Sequence, residues 1–323
     1  MNEVLSHQLF RAAGVPAPRT AYARVYVSVP GKYEKEYFGL YSLVEDVDKG
    51  FAEDRFGTRK GAIFKPVTPT LFGDMGDEWT KYNQTYDPKT PLSPQQQQKV
   101  IDFSKLVSHA NDAEFAAKLN SYLDIDQFAR FLAVEVWLSS LDSILTIGQN
   151  YYVYLHPKSG KFQFIPWDLD HSFGQFGMRG SQEEREQLSI QHPWDGENKF
   201  IERVMNVSAF RTLYLAKIEQ INRTLCQPEA VAAQVDQIAA VIRPAVAAES
   251  PEKLERFDKV VAGEPVQPAG FGGMQGRRGG PGGPGGDGPR FGPPSALASR
   301  RALSVENQAI LRGARAGFLR HEL

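Results

Sequence analysis

The sequence predicts an α+β protein: a strand-rich first part, a mostly helical remainder, and an aromatic β-hairpin set among the helices. Three observations predict it. Runs of Tyr and Val separated by turn residues dominate the first 65 positions. From about residue 93 onward, apolar residues recur at helical spacing over most segments. Between these helices, Asn150–Leu155 and Lys161–Trp167 are filled with Tyr, Val and Phe, and are broken by His156-Pro157-Lys158-Ser159-Gly160, which is a hairpin pattern.

In order, Asn2–Ala13 is an amphipathic helix with Val4, Leu5, Leu9 and Phe10 on one side, stopped by Gly14 with Pro16 and Pro18 beyond it. Ala21–Val29 alternates Tyr22, Val25, Val27 and Val29 with small or polar residues. Pro30-Gly31-Lys32 turns the chain, and Tyr37–Glu45 returns it as a second strand. Asp48–Phe56 is a short helix with Phe51 and Phe56 inward, closed by Gly57; Ala62–Lys65 is a third strand, stopped by Pro66. Residues 67–93 are polar, with Phe72, Met75, Trp79 and Tyr82 scattered through them. They read as a long loop or insertion, either functional or a variable surface excursion. Ser93–Ala110, Ala113–Tyr122 and Asp126–Leu141 are helices, and the last is apolar on most sides, which places it centrally. Asn198–Asn206 and Ser208–Leu225 follow the hairpin as helices, with Phe200, Val204, Phe210 and Ile218 inward. Pro228–Ala248 is an Ala-rich helix that Pro244 bends or ends, and Pro251–Ala262 is a shorter one. Residues 263–294 are mostly Gly, Pro and Arg. Such a composition buries too little apolar surface to offset ordering, so the segment reads as a disordered linker rather than an RNA-contacting one. Ser295–Arg320 returns to helix, basic on one face.

Composition bounds the function. With 41% hydrophobic and 23% charged residues, the 323-residue chain is an ordinary globular one, in one large domain or two small ones. A net charge of −1 gives no overall attraction to nucleic acid or an acidic membrane, so no nucleic-acid partner is expected. Cys226 is the sole cysteine, which rules out an internal disulfide and leaves a small packed residue. No apolar run approaches a membrane span, and no signal-peptide pattern opens the sequence. Residues 2–13 look like the middle of a domain. The address is left open: cytoplasmic for the sequence as given, cell envelope or secreted if a leader precedes it.

The chemistry concentrates after the hairpin. Asp168 and Asp170 sit two residues apart where its second strand ends. If the extended geometry continues, both carboxylates face one side. Two such groups repel unless a cation lies between them, which suits Mg²⁺ or Ca²⁺. The same pattern also serves as a solvated turn with a helix cap. Asn150 opens the first strand, where the hairpin brings it near Asp168. Asp142 closes the apolar helix, and Phe173-Gly174 gives a flexible, aromatic-anchored exit. Lys65 follows Ile63 and Phe64, so its stem is partly buried and its ammonium needs a partner, for which Glu45 and Asp48 are the acidic candidates. The plainer reading is a surface lysine at a strand end. No GxxxxGKS motif is present, and no GxGxxG phosphate loop follows a predicted strand. His171 reads as a satisfied structural residue, and His192–Gly196 as a loop edging the cleft without an assigned role.

Several segments carry a resemblance: residues 9–18 (LFRAAGVPAP), 39–49 (GLYSLVEDVDK), 64–66 (FKP), 141–143 (LDS), 150–154 (NYYVY) and 165–170 (IPWDLD), the last being the most specific. Together they resemble the spore coat protein H (CotH) kinases, a branch of the protein-kinase-like superfamily, over most of residues 1 to about 225 and a final helix. The resemblance implies a two-lobed protein-kinase-like fold over residues 1–262, with a β-rich lobe to about 90 and a helical lobe from about 91 whose central feature is the β-hairpin. It makes 263–294 an insertion and 295–323 a closing helix, and it places strands before the first helix. It implies ATP and Mg²⁺ (or Mn²⁺), and transfer of phosphate to Ser or Thr of a protein substrate. By position, Asp142 is then the catalytic carboxylate, Asn150 and Asp168 the metal ligands, and Asp170 a support or additional ligand. Lys65 contacts the ATP phosphates with Glu45 as its partner, and ATP is held by Lys65 and metal rather than by a backbone nest. The sequence departs from ordinary protein kinases in the longer Asp142–Asn150 gap, in the absence of His-Arg-Asp, and in a strand-borne Glu45. A small-molecule kinase shares this chemistry, and a non-catalytic structural or surface binding protein of the same fold is the alternative.

Overall fold

A computed structural model describes residues 1–177, 180–264 and 266. In chain order these form α1 (Asn2–Ala12), β1 (Thr20–Val29), β2 (Tyr33–Val44), α2 (Lys49–Phe56), β3 (Ala62–Phe64), α3 (Trp79–Tyr86), α4 (Pro94–His109), α5 (Asp112–Tyr122), α6 (Ile125–Trp137), β4 (Tyr151–Leu155) and β5 (Phe162–Pro166). Then come α7 (Gln182–Glu186), α8 (Lys199–Asn206), α9 (Ser208–Thr224), α10 (Pro228–Ala247) and α11 (Pro251–Val261). The mixture is α+β, with two small antiparallel sheets, β1-β2 and β3-β4-β5.

The three-stranded sheet positions the site. β4 pairs with β3 through Ala62↔Leu155 and Phe64↔Val153, and with β5 from Tyr151↔Pro166 to Leu155↔Phe162. Every β4 residue is buried, because both faces of the sheet are covered. Tyr151, Val153 and Leu155 enter the main core with Phe162 and Phe164, while Tyr152 and Tyr154 join Ile63, Ile165 and Phe51 beneath α2. A strand covered on both faces reads as a continuous apolar run, which explains YYVYL. Phe56 of α2 stacks on Tyr154, with ring centroids 4.0 Å apart. The outer edge of β5 is closed by a side chain. Gln127 of α6 donates Nε2–H to the Phe164 carbonyl (2.6 Å) and accepts the Phe164 N–H at Oε1 (2.9 Å). Those ladder groups would otherwise be left open at an edge strand.

α6 packs against β5 and α9, and its Phe128 lies 4.6 Å from Phe164 and 5.3 Å from Phe200 between centroids. It stops at Trp137, four residues before the apolar run ends. The carbonyls of Leu138 and Ser139 accept N–H groups from Phe173 and Gly174, so a distant loop closes the helix end. The exit after the Asp pair is therefore pinned rather than flexible.

Residues 67–93 are more ordered than a loop. They contain α3 and send Phe72 into the core, 4.4 Å from Phe103 and 5.0 Å from Phe162 between centroids. Trp79, Tyr82 and Tyr86 recur at helical spacing, but the polar residues around them hid the pattern. The segment then returns along β3, with Lys89 N–H bonded to Ile63 O (2.8 Å) and Lys65 N–H to Tyr86 O (3.1 Å).

The β1–β2 hairpin docks on α10. Tyr37 Oη–H donates to Ala245 O (3.1 Å), and Glu249 Oε1 accepts the Leu40 N–H (2.6 Å). Pro244 sits inside α10 without ending it. Among the described helices α10 alone has the length and composition to cross a membrane. In the fold its Val235, Ala239, Ile242 and Ala245 are buried. The short α7 was not anticipated. Nearly all of the Gly/Pro/Arg-rich stretch, and the whole 295–320 helix, lie outside the described residues.

Candidate active site

The loop between α6 and β4 carries Asp142 and Asn150, and side chains build its turns. Ser143 Oγ–H donates to Ser140 O and accepts the Leu145 N–H (3.2 Å), while the Thr146 hydroxyl donates to Leu141 O. Asn198 Nδ2–H reaches Ile144 O (2.9 Å) and Asp195 N–H reaches Leu145 O (2.9 Å). The segment around His192–Gly196, given no role from sequence, thus props this loop from outside. Gly148 (φ +71°) lies against the segment after β3: its carbonyl accepts the Thr68 N–H at 2.8 Å, and an added β-carbon would stand 1.9 Å from Thr68 O. Only glycine tolerates both conditions. This contact ties the end of β3, and Lys65 with it, to the Asp142–Asn150 loop.

Asp142 Oδ1 accepts from Gln149 Nε2 (2.7 Å), and its carbonyl accepts from Asn150 Nδ2 (2.8 Å). The Asn150 carbonyl accepts the Trp167 N–H (3.2 Å), so Asn150 stands across the hairpin base from the residue before Asp168. Asp142 lies in this loop, beyond the helix end where the sequence placed it. Four non-glycine residues with left-handed backbones bracket the region: Ser139 (φ +45°), Asn150 (+63°), Asp168 (+54°) and Phe173 (+61°). Asn and Asp bear this conformation at modest cost, whereas Ser and Phe rarely adopt it. At Asp168 it ends the strand geometry, so the alternation expected to align Asp168 with Asp170 does not operate. The two carboxylates meet through a turn instead. They also meet Glu3 of α1, and one oxygen from each of the three lies within 4.8 Å of the others.

Lys65 Nζ sits 5.2 Å from the Tyr152 ring centroid and 5.1 Å from that of Trp167, a cation–π cradle. Partial burial holds its pKa below the ordinary lysine value; Asp168 is the acid that most opposes this, ahead of Asp87 and Asp46. The pairing with Glu45 does not form. Glu45 sits at the base of the β1–β2 hairpin, where it accepts from Arg19 N–H (2.9 Å), Arg19 Nε (3.0 Å) and Arg55 (3.2 Å). Burial raises its pKa, but these hydrogen bonds and charges outweigh that and hold the carboxyl below its usual value. The other acidic candidate, Asp48, caps α2 by accepting the N–H groups of Gly50 (2.7 Å) and Phe51 (3.0 Å).

Asp168 and Asp170 are exposed along one side, yet the protein around them removes enough water to raise both pKa values. Repulsion from Asp170, Glu3 and Asp142 adds to the effect at Asp168, with Lys65 opposing it. At Asp170 His171 opposes, and Glu3 and Asp142 add. Crowded carboxylates with raised pKa values form a donor set that fits a hard divalent cation with oxygen ligands. Glu3 and its neighbour His7 were missed from sequence. Their only signal was a pair of polar residues four apart on the buried side of an amphipathic helix.

A family model described as CotH kinase protein matches residues 1–262. The chain is also 27% identical over 266 residues to the Inner spore coat protein H of Bacillus subtilis (strain 168), an alignment covering 80% of this chain and 69% of that protein.

Proposed function

The chain belongs to the CotH family, and from that premise we propose that it is an atypical kinase, transferring the γ-phosphate of ATP to a Ser or Thr hydroxyl of a protein substrate with Mg²⁺ or Mn²⁺. The observation that carries this reading is the gathering of Lys65, Asp142, Asn150, Asp168 and Asp170 around the base of the β4–β5 hairpin. In this reading residues to about 90 and from about 91 to 262 are the two lobes of a protein-kinase-like fold, followed by an inserted linker at 263–294 and a closing helix at 295–323.

Asp168, Asn150 and Asp170 would hold the metal, which when bound neutralises phosphate charge. Lys65 rests on two aromatic faces with no carboxylate within ion-pair distance among the described residues, so its ammonium is available to the ATP phosphates. Asp142 is oriented by Gln149 at Oδ1, which leaves Oδ2 to align the acceptor hydroxyl. As the hydroxyl oxygen bonds to the γ-phosphorus, the bond to the β–γ bridging oxygen breaks. ADP leaves with that electron pair, and the hydroxyl proton passes to Asp142. Placement contributes more here than base strength, since phosphoryl transfer depends mainly on alignment and charge neutralisation.

The test is transfer of label from γ-labelled ATP, with Mg²⁺ or Mn²⁺, to the protein itself and to a Ser-rich basic peptide. Asp142→Ala and Asp168→Asn are expected to abolish transfer while the unfolding transition persists. A fully active Asp168→Asn variant would sink the reading. Absent label with an ATP-raised melting temperature would point to a nucleotide-binding scaffold.

A further inference from the structure

We propose that Glu3 is a third carboxylate ligand of the divalent cation held by Asp168 and Asp170, delivered by α1 and oriented by His7. The proposal rests on Asp168 and Asp170 being metal ligands, as above, and adds a residue from a helix far away in sequence.

Geometry comes first. Glu3, Asp168 and Asp170 each place an oxygen within 4.8 Å of the others, a spacing one cation can bridge. Burial is the second, independent observation. Glu3 is only 8% exposed, and its Oε2 is buried with no hydrogen-bond donor among the described residues. A buried carboxylate oxygen left without a donor is costly and calls for a partner. The remaining oxygen is already placed: Oε1 lies 3.0 Å from Nε2 of His7, which is wholly buried one turn along α1. That contact fixes the carboxylate's orientation, the role an outer partner plays behind a metal ligand. α1 is also fastened to the loop it would serve, since Asn2 Nδ2–H donates to the Asp170 carbonyl (3.2 Å).

Charge points the same way. Among the described residues, the basic groups facing the cluster are Lys65, His171, His7 and the α-amino group of Met1. Among the described residues, two histidines come within ion-pair range and carry charge only when protonated: His171, with Nε2 3.9 Å from Asp170 Oδ1, and His7, with Nε2 3.0 Å from Glu3 Oε1. Three carboxylates gathered with so little local compensation favour a doubly charged ion. The all-oxygen donor set selects the Mg²⁺ and Mn²⁺ class over thiolate- or imidazole-seeking metals.

The experiment is binding of Mn²⁺ alone, without nucleotide, to the full chain, followed by the electron paramagnetic resonance signal of free Mn²⁺. Glu3→Gln should weaken binding about tenfold or more, Asp168→Asn and Asp170→Asn should weaken it as well, and Glu255→Gln on α11 should leave it unchanged. Circular dichroism with EDTA present shows whether each variant folds. A second readout needs no variant: substoichiometric Mn²⁺ should broaden the ring resonances of His7 before those of exposed His109. Wild-type affinity in folded Glu3→Gln, with affinity lost in Asp168→Asn, overturns the role of Glu3 and leaves the kinase reading standing. No Mn²⁺ binding without nucleotide overturns the three-carboxylate site. Tight Mn²⁺ binding that depends on Glu3, with no phosphate transfer, upholds this inference while the proposed activity fails.

Discussion

Glu135, on the helix that leads to the Asp142 loop, gives stability a pH-dependent contribution. It is wholly buried, and neither carboxylate oxygen has a hydrogen-bond partner of normal geometry. Burial pushes its pKa up from 4.5 to about 8, with Ser140 a weaker opposing influence. The folded chain therefore holds this proton over a range where the unfolded chain has released it. Stability from this group is fully present below about pH 4.5, falls as pH rises, and levels off above about pH 8. Each pH unit in that window costs about 1.4 kcal/mol, so at pH 7 the loss is about 3 kcal/mol. Glu135→Gln removes the titration while keeping the shape. Urea unfolding of both proteins at pH 5, 6, 7 and 8 isolates the effect, because other ionisable groups cancel in the difference. The variant should gain on wild type by about 1.4 kcal/mol per pH unit from 5 to 8, on top of a constant offset from its buried amide. A difference that is flat across pH, or that grows toward acid, refutes the reasoning.

Two further outcomes follow from local geometry. Gly148→Ala should destabilise the fold by about 1–3 kcal/mol, because the left-handed backbone and the Thr68 carbonyl both oppose a β-carbon; a melting temperature equal to wild type would show that Thr68 does not hold this loop. Glu249→Ala removes the 2.6 Å hydrogen bond to Leu40. It should lower the local opening energy of the β1–β2 hairpin by about 1–1.5 kcal/mol, read as roughly tenfold faster exchange of the Leu40 amide, and unchanged exchange would argue against docking on α10.

Much of the fold was legible in the residues, and for identifiable reasons. The β4–β5 hairpin announces itself because a strand buried on both faces has no polar alternation to blur it. Helices α2, α4 and α8 start where Asp48, Ser93 and Asn198 cap them, a local hydrogen bond that sequence exposes directly. Where a distant segment decides, legibility fails. The end of α6 depends on N–H groups from residues 173 and 174. Phe72 reads as a loop aromatic until Phe103 and Phe162 are brought beside it. Glu45 and Asp48 look equally suited to Lys65 until Arg19, Arg55 and the α2 amides are in place.

By itself, then, the sequence determined the α+β class, the hairpin, and the segments by which the chain is assigned to its family and Asp142, Asn150, Asp168 and Asp170 become candidates. Those follow from interactions a few residues long, or from patterns repeated along one segment. Only the tertiary structure decided which acid faces Lys65, how Asp168 turns toward Asp170, and that Glu3 joins them. Each of these is set by contacts between segments whose relative placement is governed by core packing and by hydrogen bonds of large sequence separation, and no local preference encodes them.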